Sequence, residues 1–393
     1  MIYIAVLLLL LLLSYYYDIC NNRINKKLWY NVVLVILILI AGLRYRLGTD
    51  TSMYIGEFYH VTPKLDEMGF EDLSIKYPLW MILMSVVRTF GGKFFIVQLI
   101  HSSIVNILLF NYIKRHSHYI FTCVLIYYLW VYTSYNMEIM KSSLAIVLCL
   151  YGNDFIMNKE WVKGYLLYII AFLFHYETLL ILITPLFFSI RFNLKTMVFL
   201  LLAFILGFIL EQKIEDYTFL LSFSGDLLEK AEFYATEDRY NSSKGLHFFV
   251  LSILPYITYV ILSVLYLQKR RMAESFQKME SLVVIGLFFV AIQMNIDIFY
   301  RYVQFYVIYF IFYITQFFVG VVKSNRRIET FTSFLLTTFV FSPFFFCLVY
   351  QYPRKYFRYY PYYSVIERKI DKKREHKLQE NRPWRDLSRF DEY

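Results

Sequence analysis

The sequence predicts an all-α polytopic membrane protein, and three observations carry that expectation. Hydrophobic residues make up 59% of the 393-residue chain and charged ones only 18%, a balance that excludes a soluble globular enzyme. The apolar residues gather into runs of roughly 20 residues, some shorter, which is what crossing about 30 Å of hydrocarbon demands. The net charge is +10, yet lysine and arginine fall in short clusters between those runs and in the tail. Such clusters set topology, so the bilayer is an expected partner and nucleic acid is not.

Taken in order, about 12 transmembrane helices are expected, near 2–17, 28–43, 94–113, 119–134, 138–157, 162–174, 176–188, 196–210, 247–267, 281–296, 302–322 and 331–349. The first run, Ile2 to Leu13, lacks a basic leading region and is followed by Tyr15-Tyr16-Tyr17-Asp18 instead of small residues, so it reads as a retained span and not as a secretory leader. The stretch 77–91 carries Arg88 and ends Gly91-Gly92-Lys93, and it is expected as a short or re-entrant helix. Polar His175, Tyr176, Glu177 and Thr178 interrupt 162–188, which is expected as two short passes bending near His175.

Arg23, Lys26 and Lys27 place the first inter-span loop in the cytoplasm. Alternation then puts Lys114-Arg115, Lys159 with Lys163, Arg191 with Lys195, Lys269-Arg270-Arg271 and Lys323 with Arg326-Arg327 on the same side. If 77–91 crosses fully and 162–188 is one tilted span, Lys114-Arg115 moves outside. The favoured arrangement leaves the loops 44–76 and 211–246, the Asn136 to Lys141 junction, the His175 bend and Asn295 to Arg301 on the outer face. The remaining charges collect there, which points to an extracytoplasmic site. Within 211–246, Tyr217 to Tyr234 is amphipathic and reads as an interfacial piece or a plain connection.

Two regions follow from this pattern: a multi-span membrane domain over 1–350 and a polar, aromatic and charged C-terminal tail over 351–393. The tail contains an expected short helix through Ile366 to Gln379, and segments of such composition are usually solvated. Its basic residues argue for the cytoplasm and the span count for the outside. Cys20, Cys123, Cys149 and Cys347 lie far apart, so neither a disulfide framework nor a zinc site is indicated. There is no glycine-rich phosphate loop, no Asp-x-Asp pair, no His-Glu-x-x-His and no serine elbow.

What stands out is Gly42 to Tyr59, where two arginines, a carboxylate, a glycine turn and tyrosines follow an apolar run. Arg44, Gly48, Thr49, Asp50 and Tyr54, in this order and spacing, resemble the signature of the EpsG-type, Wzy-like bacterial polysaccharide polymerases. His175, after Ala171-Phe172-Leu173-Phe174, is similar to that family's apolar run followed by histidine. At Met137 to Ala145 the family usually shows Ile-Arg-Gln with a Leu-Ala pair soon after, whereas here Lys141 and Ser142 stand in place of Arg and Gln. Lysine is a point charge and cannot reproduce a bidentate grip.

The resemblance implies a GT-C-like membrane glycosyltransferase of the bacterial cell (inner) membrane. It would polymerise polyprenyl-diphosphate-linked oligosaccharide repeat units, donor and acceptor alike, into capsule, exopolysaccharide or O-antigen on the extracytoplasmic face. The carrier would be undecaprenyl diphosphate, and flippase and chain-length regulator proteins are candidate partners. No metal or cofactor is required.

Arg44, Arg46, Arg301 and Lys141 are then candidates to hold the diphosphate, with Tyr54 beside them, because guanidinium pairs bidentately with phosphate oxygens. Each has a plainer alternative. Arg46 can snorkel, Arg301 can pair with Asp297 across one turn, and Lys141 can pair with Glu138. Two residues compete as the base: His175, backed by Glu177, and Asp50, whose other role is to orient Arg44 after the Gly48-Thr49 turn. The rival functions are a transporter or flippase of the lipid-linked oligosaccharide and a polysaccharide-modifying acyltransferase, with a structural scaffold the weakest option. The one-sided gathering of charge and the lack of an inverted repeat favour the enzyme.

Overall fold

The computed structural model describes residues 2–48, 50–69, 77–211, 254–270, 274–293, 299–324 and 358–381, and among these every regular element is helical. The chain divides into two compact units, one formed by Met1–Leu182, Val322–Asn325 and Phe341–Tyr393, the other by Ile183–Val321 and Arg326–Val340. The span expected at 331–349, the amphipathic piece within 211–246, Thr49 and Asp297 lie outside the described residues.

The first unit is an up-and-down bundle. Its helices are α1 (Ile2–Leu13, continued by a wider turn over Ser14–Ile19), α2 (Lys26–Gly42), α3 (Thr51–Gly56), α4 (Pro78–Thr89), α5 (Phe94–His116), α6 (Ile120–Trp130), α7 (Met140–Met157) and α8 (Trp161–Phe174). Small residues set how closely the helices approach. A Cβ on Gly42 would lie 2.9 Å from the Leu99 Cα, which holds α2 against α5. Gly152 and Gly164 likewise leave room for Tyr168 and Ile156 where α7 meets α8. One polar cluster inside the bundle pairs with itself: Asn106 Nδ2 donates to Asn136 Oδ1 at 2.6 Å, Asn136 Nδ2 to the Tyr127 hydroxyl at 2.9 Å, and that hydroxyl to Asn106 Oδ1 at 3.1 Å. A closed ring of this kind removes the desolvation cost of each member.

The two ends of the unit differ in character. At one, Lys26 pairs with Asp18 at 3.1 Å, His116 meets Asp154 at 2.6 Å, and the Tyr30 hydroxyl donates to the Phe110 carbonyl. Lys114 and Arg115 close α5 there, as the alternation of basic clusters predicts. The other end gathers Arg44, Glu138 and Lys141. Chain direction alternates between them, α2 up, α5 down, α6 up, α7 down and α8 up. Leu12, Val162 and Leu166 stay exposed on the outside, as lipid-facing residues must.

The stretch 77–91 resolves into α4, whose 12 residues span about 18 Å, short of the hydrocarbon thickness. It starts within the bundle, where the Trp80 ring lies 6.3 Å from His101, and ends where Thr89 Oγ1 accepts the Leu65 N–H at 2.9 Å. The break expected near His175 is present. His175 is extended (φ −157°, ψ 121°), ends α8, and hands the chain to a tight three-residue-per-turn helix over Tyr176–Phe187. That segment leads into the second unit, which contains α9 (Leu194–Glu211), α10 (Leu254–Lys269), α11 (Glu274–Gln293), α12 (Tyr300–Val303) and most of α13 (Val307–Lys323). There α9 and α11 pack through Phe199 stacked on Phe288 at 5.3 Å, and the buried Glu280 carboxylate accepts the Phe192 N–H and Gln268 Nε2.

Among the described residues three helices, Ile2–Ile19, Phe94–His116 and Phe276–Gln293, are long and apolar enough to cross a membrane, and further apolar helices of 10–17 residues accompany them.

Candidate functional site

The chain leaves α2 at Leu43 and enters a loop that a distant segment holds in place. The Tyr45 N–H donates to the Tyr363 carbonyl and the Val365 N–H to the Leu43 carbonyl, both at 2.8 Å, so Arg44 and Ser364 face each other as a single antiparallel bridge. The Gly48 N–H donates to the Arg358 carbonyl at 3.0 Å, and the Tyr362 hydroxyl to the Ile40 carbonyl at 3.1 Å. The tail, expected to lie solvated, is therefore packed through residues 358–365 and Arg374 onto the end of α2, while 366–370 stay exposed. Composition misled here because its charges are used internally: Arg374 is 1% exposed. The tail sits at the Arg44 end of the unit. Its helix, α14 (Lys372–Asn381), starts later than expected, since Asp371 Oδ1 accepts the Arg374 N–H and fixes the first turn.

Arg44 is fully buried. Its Nη1 donates to the Ala41 carbonyl at 2.5 Å, Nε to the Leu47 carbonyl at 3.4 Å, and Nη2 to Met140 Sδ at 3.3 Å. One guanidinium thus ties a last-turn carbonyl of α2 and the loop after it to the first turn of α7, the favourable place for a cation on a helix dipole. Arg46 adopts φ +55° and is 3% exposed, with Nε 2.6 Å from Glu375 Oε1, so it does not snorkel. Gly48 holds φ +91°, and a Cβ there would stand 2.3 Å from the Met137 carbonyl oxygen. Gly48→Ala is expected to cost about 2 kcal/mol or more through strain and collision, read as a lower Tm and a smaller folded yield in detergent.

Next to the loop, Thr51 Oγ1 donates to the Leu47 carbonyl at 2.6 Å, and the Tyr54 hydroxyl to the Glu138 carbonyl at 3.1 Å. Asp50 stands at the start of α3, where its carbonyl accepts the Tyr54 N–H at 3.1 Å. Lys141 is 5% exposed, and its Nζ is 2.8 Å from Glu57 Oε1 and 3.4 Å from the centre of the Tyr77 ring. This corrects the expected partner, Glu138. Ile139 (φ −94°, ψ 53°) breaks the helix between Ser134–Glu138 and α7, so Glu138 and Lys141 do not share a continuous helical face. Glu138 instead receives a hydrogen bond from the Tyr359 phenol of the tail. Burial, with Glu138 second, pushes that phenol well above the usual tyrosine range.

His175 reaches the same end through the α7–α8 hairpin. Tyr168 lies against Gly152, and the seven residues on to His175 rise about 10 Å toward the Met140 end. Its Nδ1 is 3.5 Å from Glu177 Oε2 and 3.3 Å from the Glu177 N–H, and its side chain keeps 12% exposure. Nδ1 cannot accept from the N–H and donate to the carboxylate at once. Protonation there selects the carboxylate and leaves Nε2 as an acceptor.

The first unit thus brings Arg44, Arg46, Gly48, Asp50, Tyr54, Glu138, Lys141, His175 and Glu177 to one end. Arg301 belongs to α12 of the second unit, half-buried. Sequence reasoning missed Glu57, Tyr77, Arg358, Arg374 and Glu375, and also His101, whose Nε2 is 3.0 Å from the Met140 carbonyl and 2.9 Å from Ser143 Oγ. Gln98, His101, Ser102 and Asn106 recur at helical spacing in an otherwise apolar span, which is a readable signal of a polar inner face. No group of three or more His, Cys, Asp or Glu placed to hold a metal ion occurs among the described residues.

The model of the EpsG family matches residues 27–364. No curated protein and no solved structure matches the chain significantly.

Proposed function

The chain belongs to the EpsG family, and from that premise we propose that it is a membrane glycosyltransferase that joins polyprenyl-diphosphate-linked oligosaccharide repeats into a polysaccharide outside the cell membrane. The observation that carries this reading is the burial of Arg44, Arg46 and Lys141 at the end of the bundle opposite the topology-setting Lys26, Lys114 and Arg115. Cations placed in a low-dielectric interior stabilise charge that develops on a leaving group far better than the same cations in water.

In the proposed reaction the bond between the donor's anomeric carbon and its diphosphate oxygen breaks, and the diphosphate departs with the electron pair toward Arg44 and Lys141. A hydroxyl of the acceptor repeat forms the new bond to that carbon and gives up its proton. His175 is the preferred base, because Glu177 beside Nδ1 supports the tautomer with Nε2 unprotonated; Asp50 is the alternative. Nothing in this scheme calls for a metal.

The test is direct. Purified full-length protein supplied only with the carrier-linked repeat should release polyprenyl diphosphate and lengthen the glycan in equal amounts. Substrate that changes leaflet without growth would establish the flippase reading in its place.

A further inference from the structure

Arg374 is an under-satisfied cation at this end of the molecule, its guanidinium carbon 5.8 Å from the centre of the Tyr363 ring. Its guanidinium is 1% exposed and spends one donor, Nη1, on the Pro361 carbonyl at 2.9 Å. Nε and Nη2 are buried and have no hydrogen-bond partner. The Tyr3 hydroxyl is also buried without a partner, and it lies within electrostatic reach of both Arg44 and Arg374. Arg46 contributes a second charge beside Arg374. Against these cations stands Glu375, whose carboxylate contacts Arg46 Nε at 2.6 Å but without the alignment of a hydrogen bond. Asp371 is committed to capping the helix. Buried donors left unmade are costly, and a buried charge without an opposite charge costs more. Burial, Glu375, Asp371 and Arg46 all act on this guanidinium, and the net pull is below the usual arginine range.

We propose that Arg374, Arg46 and the Tyr3 hydroxyl form a phosphoryl-anion site, which takes the diphosphate group of the lipid-linked substrate and which Glu375 occupies as a carboxylate stand-in when substrate is absent. The site rests on the polymerase reading only for the identity of its ligand. A phosphate oxygen pair would satisfy Nε and Nη2 of Arg374 together, the bidentate geometry that guanidinium favours. Displacing Glu375 lets Arg46 Nε, which it now contacts, turn to the same anion. The side chain of Glu375 is 19% exposed, so the carboxylate has water to move into. Arg374 lies beyond residues 27–364 matched by the family, and Arg46 lies within them.

The experiment uses the full-length protein in detergent micelles, with inorganic pyrophosphate and geranylgeranyl diphosphate as separate probes and a binding isotherm plus ligand-induced Tm shift as readouts. Arg374→Gln should weaken diphosphate binding about tenfold or more, the scale of a lost bidentate charged pair. Glu375→Gln should tighten it, and Lys372→Gln, an exposed charge on the same helix, should leave it unchanged. The unliganded Tm of Arg374→Gln should equal or exceed that of the wild type, since an under-satisfied buried cation is removed. Tighter binding of the lipid probe assigns the site to the carrier, and equal binding of both assigns it to soluble diphosphate. Wild-type affinity in Arg374→Gln, an equal loss in Lys372→Gln, or a loss accompanied by a lower unliganded Tm overturns the proposal. Because no polymer is measured, binding that depends on Arg374 stands even where chain growth fails, and chain growth with unaltered binding in Arg374→Gln removes this site alone.

Discussion

Arg44→Ala is expected to stop chain growth, with a loss of about 10²-fold to 10³-fold in turnover per folded molecule, the scale of removing one preorganised charge from a developing anion. It also carries a structural cost that a snorkelling arginine would not. Truncation leaves the Ala41 carbonyl without the donor it now accepts from, at about 1–3 kcal/mol, while the Leu47 carbonyl keeps Thr51 Oγ1. Folded yield must therefore be measured beside activity. Arg44→Lys separates the two effects, since lysine keeps the charge but cannot reach Ala41, Leu47 and Met140 in one plane. The expected result is a lysine variant that inserts, is monodisperse, and still makes only short glycan. Long polymer from the folded fraction of Arg44→Ala would remove Arg44 from the mechanism, whatever its role in holding α2 to α7.

Much of the fold was legible because lipid imposes few solutions. Runs of apolar residues had to become helices, and the basic clusters had to mark one face. The short helix at Pro78–Thr89 and the break at His175 were readable from Arg88, Gly91 and the polar interruption. Local spacing also identified Arg44, Gly48 and Tyr54 as one cluster, because all three sit on a single loop and the turn after it.

What was not legible depends on contacts between residues far apart in the chain. Nothing near Lys141 announces Glu57, 84 positions earlier, and the i,i+3 pairing with Glu138 fails because of one non-helical residue, Ile139. The tail was misjudged for a related reason. Its composition is that of a solvated segment, and only the Leu43–Tyr45 edge that it pairs with makes burial of Arg374 and Tyr359 affordable. Arg301 and the residues around the base would need the same long-range information.

The pair of Lys141 with Glu57 gives the second large effect and decides between grip and scaffold. Both side chains are mostly buried, at 7% and 17% exposure, and Glu57 Oε2 has no hydrogen-bond partner. Lys141→Met alone strands that carboxylate and is expected to destabilise the protein by about 3–5 kcal/mol, read as a depressed Tm. Adding Glu57→Gln removes the stranded charge, so the double variant should recover most of the lost stability, as replaced buried ion pairs commonly do. Activity should not follow. If Lys141 stabilises the departing diphosphate, the double variant folds like wild type and extends glycan about 10²-fold more slowly, with binding of the neutral glycan portion little changed. Recovery of chain growth together with Tm would mean that the ammonium serves Tyr77 and Glu57 alone, and the leaving group must then be met by the arginines.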